Sequence, residues 1–129
     1  VGLIDDDQFD EQECLALLGR TQLGRVAVSL AAVPVVFPVR YALEDRSVIM
    51  AVTIEELAKA LDGAIAALQA DGYDEDSGRR WTALAIGPTQ RLAPDSIPVR
   101  PPASGGEWAG REMVHLLPQI LTGRWVDDL

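Results

Sequence analysis

The sequence predicts a mainly β, α+β domain built on antiparallel strands, and three observations predict it. Residues 35–43 alternate, with Val35, Phe37, Val39, Tyr41 and Leu43 on one face and Val36, Pro38, Arg40 and Ala42 on the other. Val26, Val28 and Leu30 alternate with Ala27 and Ser29 in the same way, while Val48-Ile49-Met50-Ala51-Val52 is apolar throughout, as in a strand covered on both faces. The connections are short, and Glu44-Asp45-Arg46-Ser47 reads as a hairpin loop. Three such strands form a meander. Pro38 has no N–H to complete a ladder, so it marks an edge, a bulge, or a place where something other than a strand lies alongside.

The remaining elements follow in order. Residues 8–19 read as a short amphipathic helix, with early acids suited to its positive end and Gly19 suited to its C-cap. Ile54 to Leu61 is a second helix, which Thr53 caps and Glu56 completes as a capping box. The run Ala64 to Ala70 also favours helix by local propensity and would extend the second helix, yet Asp62-Gly63 is a break and a strand is the alternative. Asp71 to Gly78 is a polar loop. Trp81 to Leu92 is a strand with a bend or bulge at Gly87-Pro88, residues 93–110 form a proline-rich excursion, and Met113 to Leu117 is a last strand before an apolar tail, Leu121 to Val126.

Composition narrows the function classes. One domain, 1–129, with residues 1–8 flexible, fits a chain of 129 residues. A net charge of −9 argues against a broad nucleic-acid surface. No apolar run approaches a membrane span. Cys14 is the only cysteine and nothing resembles a signal peptide, so a reducing, cytoplasmic location is expected. One histidine, His115, and one cysteine build no zinc site, and Asp74-Glu75-Asp76 lacks the spacing of a calcium loop. No residues are assigned a catalytic or metal-binding role.

Five landmarks recur in one order: Leu23-Gly24-Arg25-Val26-Ala27-Val28, Pro38-Val39-Arg40-Tyr41, Lys59, Trp81-Thr82-Ala83-Leu84 with Gly87, and Leu121-Thr122-Gly123-Arg124. Over residues 9–126 the chain resembles the pyridoxamine 5′-phosphate oxidase-like, flavin-binding split-barrel family in its small actinobacterial form. The resemblance implies a six-stranded antiparallel split β-barrel with two to three short helices. Residues 63–71 are then a barrel strand, and a core forms around Val26, Val28, Val35, Phe37, Ile49, Leu84 and Val114. It also implies a cytoplasmic homodimer that binds flavin mononucleotide (FMN) as a small-molecule ligand at the subunit interface and acts as an oxidoreductase, with neither nucleic acid nor membrane as partner.

The cofactor-binding residues carried over are Arg25, Arg40, Thr53, Lys59, Trp108 and Arg124. The chain departs from the family at the phosphate grip. An Arg-Thr pair commonly follows the third strand there, with a Gly two residues before the Lys; here Val52-Thr53 and Leu57 stand in those places. Glu55 and Glu56 add negative charge beside the expected phosphate position, so weak FMN binding or none is expected. Two alternatives remain: a cofactor-free split-barrel interaction protein, and a member binding the deazaflavin F420.

Overall fold

The structure, a computed structural model, describes residues 8–93 and 111–127. The elements run α1 (Glu11–Leu18), β1 (Leu23–Leu30), β2 (Val33–Glu44), β3 (Ser47–Val52), α2 (Glu55–Ala60), β4 (Ala64–Asp74), β5 (Arg79–Arg91), β6 (Glu112–Leu116) and β7 (Ile120–Trp125). Every strand pairing is antiparallel. Hydrogen-bonded neighbours follow the order β4-β1-β2-β3-β6-β5-β7, and β4 also pairs with β5. The circuit β1-β2-β3-β6-β5-β4 therefore closes on itself as a split β-barrel. The ring uses the six strands expected, but the sheet has a seventh. The apolar tail is β7, seated on the free edge of the long strand β5 from Trp81↔Trp125 to Ile86↔Ile120, while Thr89 to Arg91 of β5 pair with β6.

Pairing overrides helix propensity at residues 64–70. All eleven residues of β4 pair with β5, from Ala64↔Thr89 to Asp74↔Arg79, and the long-range ladder outweighs a local preference of a few tenths of a kcal/mol per residue. Gly63, at φ +81°, turns the chain out of α2. Because Gly72, Tyr73 and Asp74 join the ladder, the expected loop at 71–78 shrinks to a turn at 75–78. Ser77 Oγ donates to Asp74 at 2.7 Å and Arg20 lies 4.0 Å from the same carboxylate, so this acid closes a turn. Both interactions hold its pKa below the ordinary value, with the Ser77 bond the larger cause.

No bulge forms at Gly87-Pro88, since the β4–β5 register passes through both without a slip. Gly87 is there because the β6–β7 connection crosses over it. A Cβ at this position would overlap the Leu117 carbonyl oxygen. α1 is capped by Asp10, whose carboxylate accepts from the Glu13 N–H at 2.8 Å, and Gly19 ends it as expected. The cap expected at Thr53 does not form; Ile54 is the N-cap of α2 and makes no side-chain bond.

The barrel interior is lined by alternate residues, among them Val26, Val28, Tyr41, Met50, Leu68, Trp81 and Val114, and α1 and α2 close it with Leu18 and Leu57. Tyr41 is buried, and its hydroxyl donates to the Leu18 carbonyl at 2.6 Å, tying α1 to β2. Four expected core positions differ. Val35 and Phe37 are only partly buried against the core. Leu84 is half-buried on the outer face, because Trp81, Ala83 and Ala85 take the inward positions of β5. Ile49 is fully buried, but on the outer side of β3 with Ala51 and Met113.

Candidate functional site

The barrel splits at Pro38. Tyr41 donates its N–H to Gln22 on the β1 side, at 2.9 Å. Amides alternate sides along a strand, so the position of Pro38 faces away from β1, toward β3. The β2–β3 ladder runs only from Glu44↔Ser47 to Arg40↔Ala51, and beyond it β3 turns off into α2. A residue with no N–H thus sits where no partner strand exists to receive one. A cleft of about 250 Å³ opens there, lined by Leu23, Phe37, Pro38, Val39, Arg40, Ala51, Val52, Thr53, Ile54, Leu57 and Arg111.

The lining carries two arginines, one hydroxyl and no carboxylate among the described residues, in a chain of net charge −9. Arg40 and Thr53, two of the residues carried over by the family resemblance, are in it. The Thr53 hydroxyl makes no hydrogen bond among the described residues, since it does not cap α2. Val52 points into the core at 1 % exposure. Leu57, at the position where the resemblance expects a glycine, is buried in the core at 2 % exposure. α2 has only six residues, so its N-terminus contributes little and any anion held here is held by side chains. Glu55 is less repulsive than expected, because Arg91 lies 3.5 Å from it and 3.2 Å from Glu112.

The other expected residues lie elsewhere. Lys59 is exposed in the last turn of α2 and does not line the cleft. Arg25 is on the outer face of β1, 3.9 Å from Asp71, with both side chains more than half exposed, a pair worth little. Arg124 lines a second, larger cleft of about 530 Å³ on the outside of β4, β5 and β7, with Gln69, Asp71, Tyr73, Arg80 and Thr82. Within it Gln69 Nε2 donates to Thr82 Oγ1 at 3.0 Å, and the Trp81 ring packs so closely on Gly72 that a side chain there would meet it. Trp108 lies outside the described residues. A single chain therefore brings Arg40 and Thr53 into one lining; Lys59 and Arg124 lie apart from them, and Arg25, in register with Pro38 on the neighbouring strand, does not line the cleft.

Sequence reasoning missed Arg111. Its signal is parity: Val114 and Leu116 face the core, so Met113, and by extension Arg111, face outward. Its neighbours across the sheet depend on the β3–β6 pairing, which local pattern does not reveal. Also outward is His115, half-buried opposite Ile49 and Gln90 and lining neither cleft. Among the described residues no group of three metal-ligating side chains occurs, and no helix is long and apolar enough to cross a membrane.

A family model described as pyridoxamine 5′-phosphate oxidase matches residues 10–125. No curated protein matches the chain. Among solved structures, an FAD-binding protein from Mycobacterium smegmatis is 24% identical, covering 92% of this chain and 96% of its own, with a TM-score of 0.68. An FAD-binding protein from Mesorhizobium loti is 16% identical over 92% and 94% of the two chains, at 0.72. An FAD- and heme-binding protein from M. smegmatis is 20% identical over 95% and 74%, also at 0.72. At these identities the likeness establishes the fold.

Proposed function

Because the chain belongs to the pyridoxamine 5′-phosphate oxidase family, we propose that it is a homodimeric flavin-dependent oxidoreductase that holds FMN in the cleft at the barrel split. The observation that carries this reading is the lining of that cleft, two cations and a hydroxyl set in apolar walls with no carboxylate. Such a lining suits a ligand with an anionic end and an apolar body. A bound flavin supplies the electron and hydride transfer itself. Arg40, Thr53 and Arg111 would grip its polar end, while Leu23, Phe37 and Ile54 would shield the rest from water. No protein acid or base is needed for that division of labour.

The cleft of one chain, about 250 Å³, falls below the ~300 Å³ at which pockets enclose a whole organic ligand. A second copy supplies the missing wall in this reading. The outer face of the sheet has a place for it. Register aligns Val36, Ala27, Ala67, Ile86 and Ile120 in one transverse row across β2, β1, β4, β5 and β7. Val36 is 60% exposed and Ile120 50%. On a chain of net charge −9, this uncharged row is where two copies meet with least repulsion. An isologous interface of about 1,600 Å² or more is expected.

Titration of the purified protein with FMN, FAD and F420, followed by flavin fluorescence and visible absorbance, tests the ligand, and sedimentation at micromolar concentration tests the dimer. Saturable FMN binding by a dimer is expected. Only monomer would remove the interfacial site. A second reading, a cofactor-free interaction protein, is favoured by Leu57 and Val52, which stand where the family commonly has the Gly and Arg of its phosphate grip. It gains if none of the three ligands binds.

A further inference from the structure

The cation missing from the family's Arg-Thr pair has a replacement on a different strand. β3 and β6 pair Val52 with Glu112, so the next step of the same register sets Thr53 opposite Arg111. Arg40 pairs with Ala51, two residues before Thr53 and on the same face of β3, at the last rung of the β2–β3 ladder. Arg111, Thr53 and Arg40 therefore share the outer side of the sheet around the mouth of the split, and all three line the cleft.

Among the described residues Arg111 lacks the carboxylate partner that most arginines have; Arg80, also without one, is exposed and lines the other cleft. Arg20, Arg25, Arg46, Arg79 and Arg91 each pair with a carboxylate. Arg111 is half-buried and has no ion pair or hydrogen bond to its side chain among the described residues. A partly desolvated guanidinium among apolar side chains gains strongly from an anion, and its planar fork suits a phosphate.

We propose that Arg111 is the principal phosphate-binding side chain of this protein, seating the anion against the Thr53 hydroxyl with Arg40 closing the far side. Arg111 and Arg40 stand two strands and one row apart, roughly 12 Å between backbones, a span that two arginine side chains and one phosphate fill. The identification of the phosphate as that of a flavin rests on the function proposed above; the anion seat does not. Lys59, exposed and outside the lining, is secondary in this scheme.

FMN and riboflavin differ only by the phosphate, so their affinities isolate it. The wild type, Arg111→Ala, Arg111→Lys and Lys59→Ala are titrated with both at two ionic strengths, and circular dichroism confirms that each variant is folded. The expected result is that Arg111→Ala weakens FMN at least tenfold and leaves riboflavin within twofold. Arg111→Lys recovers part of the loss, and Lys59→Ala changes FMN by less than threefold. A preference for FMN that survives Arg111→Ala, or that Lys59→Ala abolishes instead, overturns the proposal while leaving flavin binding intact. If the wild type binds neither flavin, the functional reading fails and inorganic pyrophosphate becomes the probe by calorimetry. Binding that Arg111→Ala removes then upholds the seat, and no binding, or binding that Arg111→Ala leaves intact, overturns it.

Discussion

Replacing Gly87 with Ala tests the closure of the ring. Gly87 lies in β5 and is not among the residues of positive φ, so alanine meets no conformational penalty there. The obstacle is steric. The new methyl would overlap the Leu117 carbonyl oxygen, 2.8 Å from its carbon and 3.1 Å from the Gln119 nitrogen. These are backbone atoms, which no rotamer change can move. The β6–β7 connection must shift by about 1 Å, enough to spoil hydrogen-bond geometry. Two bonds are at stake, Leu117 N–H to Pro88 O at 3.0 Å and Gln119 N–H to Ile86 O at 2.8 Å. Each contributes about 1 kcal/mol, and more where the freed group stays buried. The loss of chain entropy in the unfolded state returns about 0.4–1 kcal/mol. The net expectation is a destabilisation of about 2–4 kcal/mol.

Urea unfolding measures it. With a slope of about 1–3 kcal/mol per molar, the midpoint should fall by about 1–2 M at unchanged slope. Gly63→Ala is the control. It has open space but a φ of +81°, so its cost is about 1–2 kcal/mol from backbone conformation alone. A Gly87→Ala midpoint equal to or above the wild type would refute the crossing of β5 by the β6–β7 connection. It would also unsettle the placement of β6, and with it the position of Arg111.

Three further outcomes are expected. Tyr41→Phe leaves the Leu18 carbonyl without its buried donor and should cost about 1–3 kcal/mol in the same assay, with an unaltered slope. The Ala31-Ala32 turn has φ of 50° and 68°, the left-handed geometry that Asn-Gly adopts readily, so Ala31→Asn with Ala32→Gly should raise stability by about 1–2 kcal/mol; a lower melting temperature would count against that turn. Burial, aided by Asp10 and Glu13, pushes the Cys14 thiol from 9.0 to about 11. The folded state thus favours the protonated thiol, so this contribution is complete below pH ~9 and lost as pH rises through ~11, about 3 kcal/mol in all. The native thiol should resist alkylation at pH ~8 and react once urea unfolds the chain; rapid native labelling would contradict its burial.

Period-two alternation identified β1, β2 and the interior positions Val26, Val28, Val39 and Tyr41, because facing along a strand is a local property of the pleat. Pro38 announced the split through a missing N–H, which is equally local. The breaker Asp62-Gly63 and the acids at the start of α1 were legible for the same reason. Residues 64–70 were not legible locally, since propensity favours helix and only the ladder with β5 overrides it; the family resemblance alone implied the strand. Nor was β7, an apolar run whose role depends on the free edge of β5, nor the outward turn of Leu84, in a run apolar on both sides. The site divides in the same way. The family resemblance, together with the place of Arg40 on the polar face of its strand, singled out Arg40 and Thr53. Arg111 joins them only because β3 and β6, distant in sequence, are neighbours in the ring, and Thr53 remains available only because α2 begins without its cap. Which side chains converge on the cleft was therefore decided by long-range register, a quantity set by the packing of the whole barrel and not by any window of its sequence.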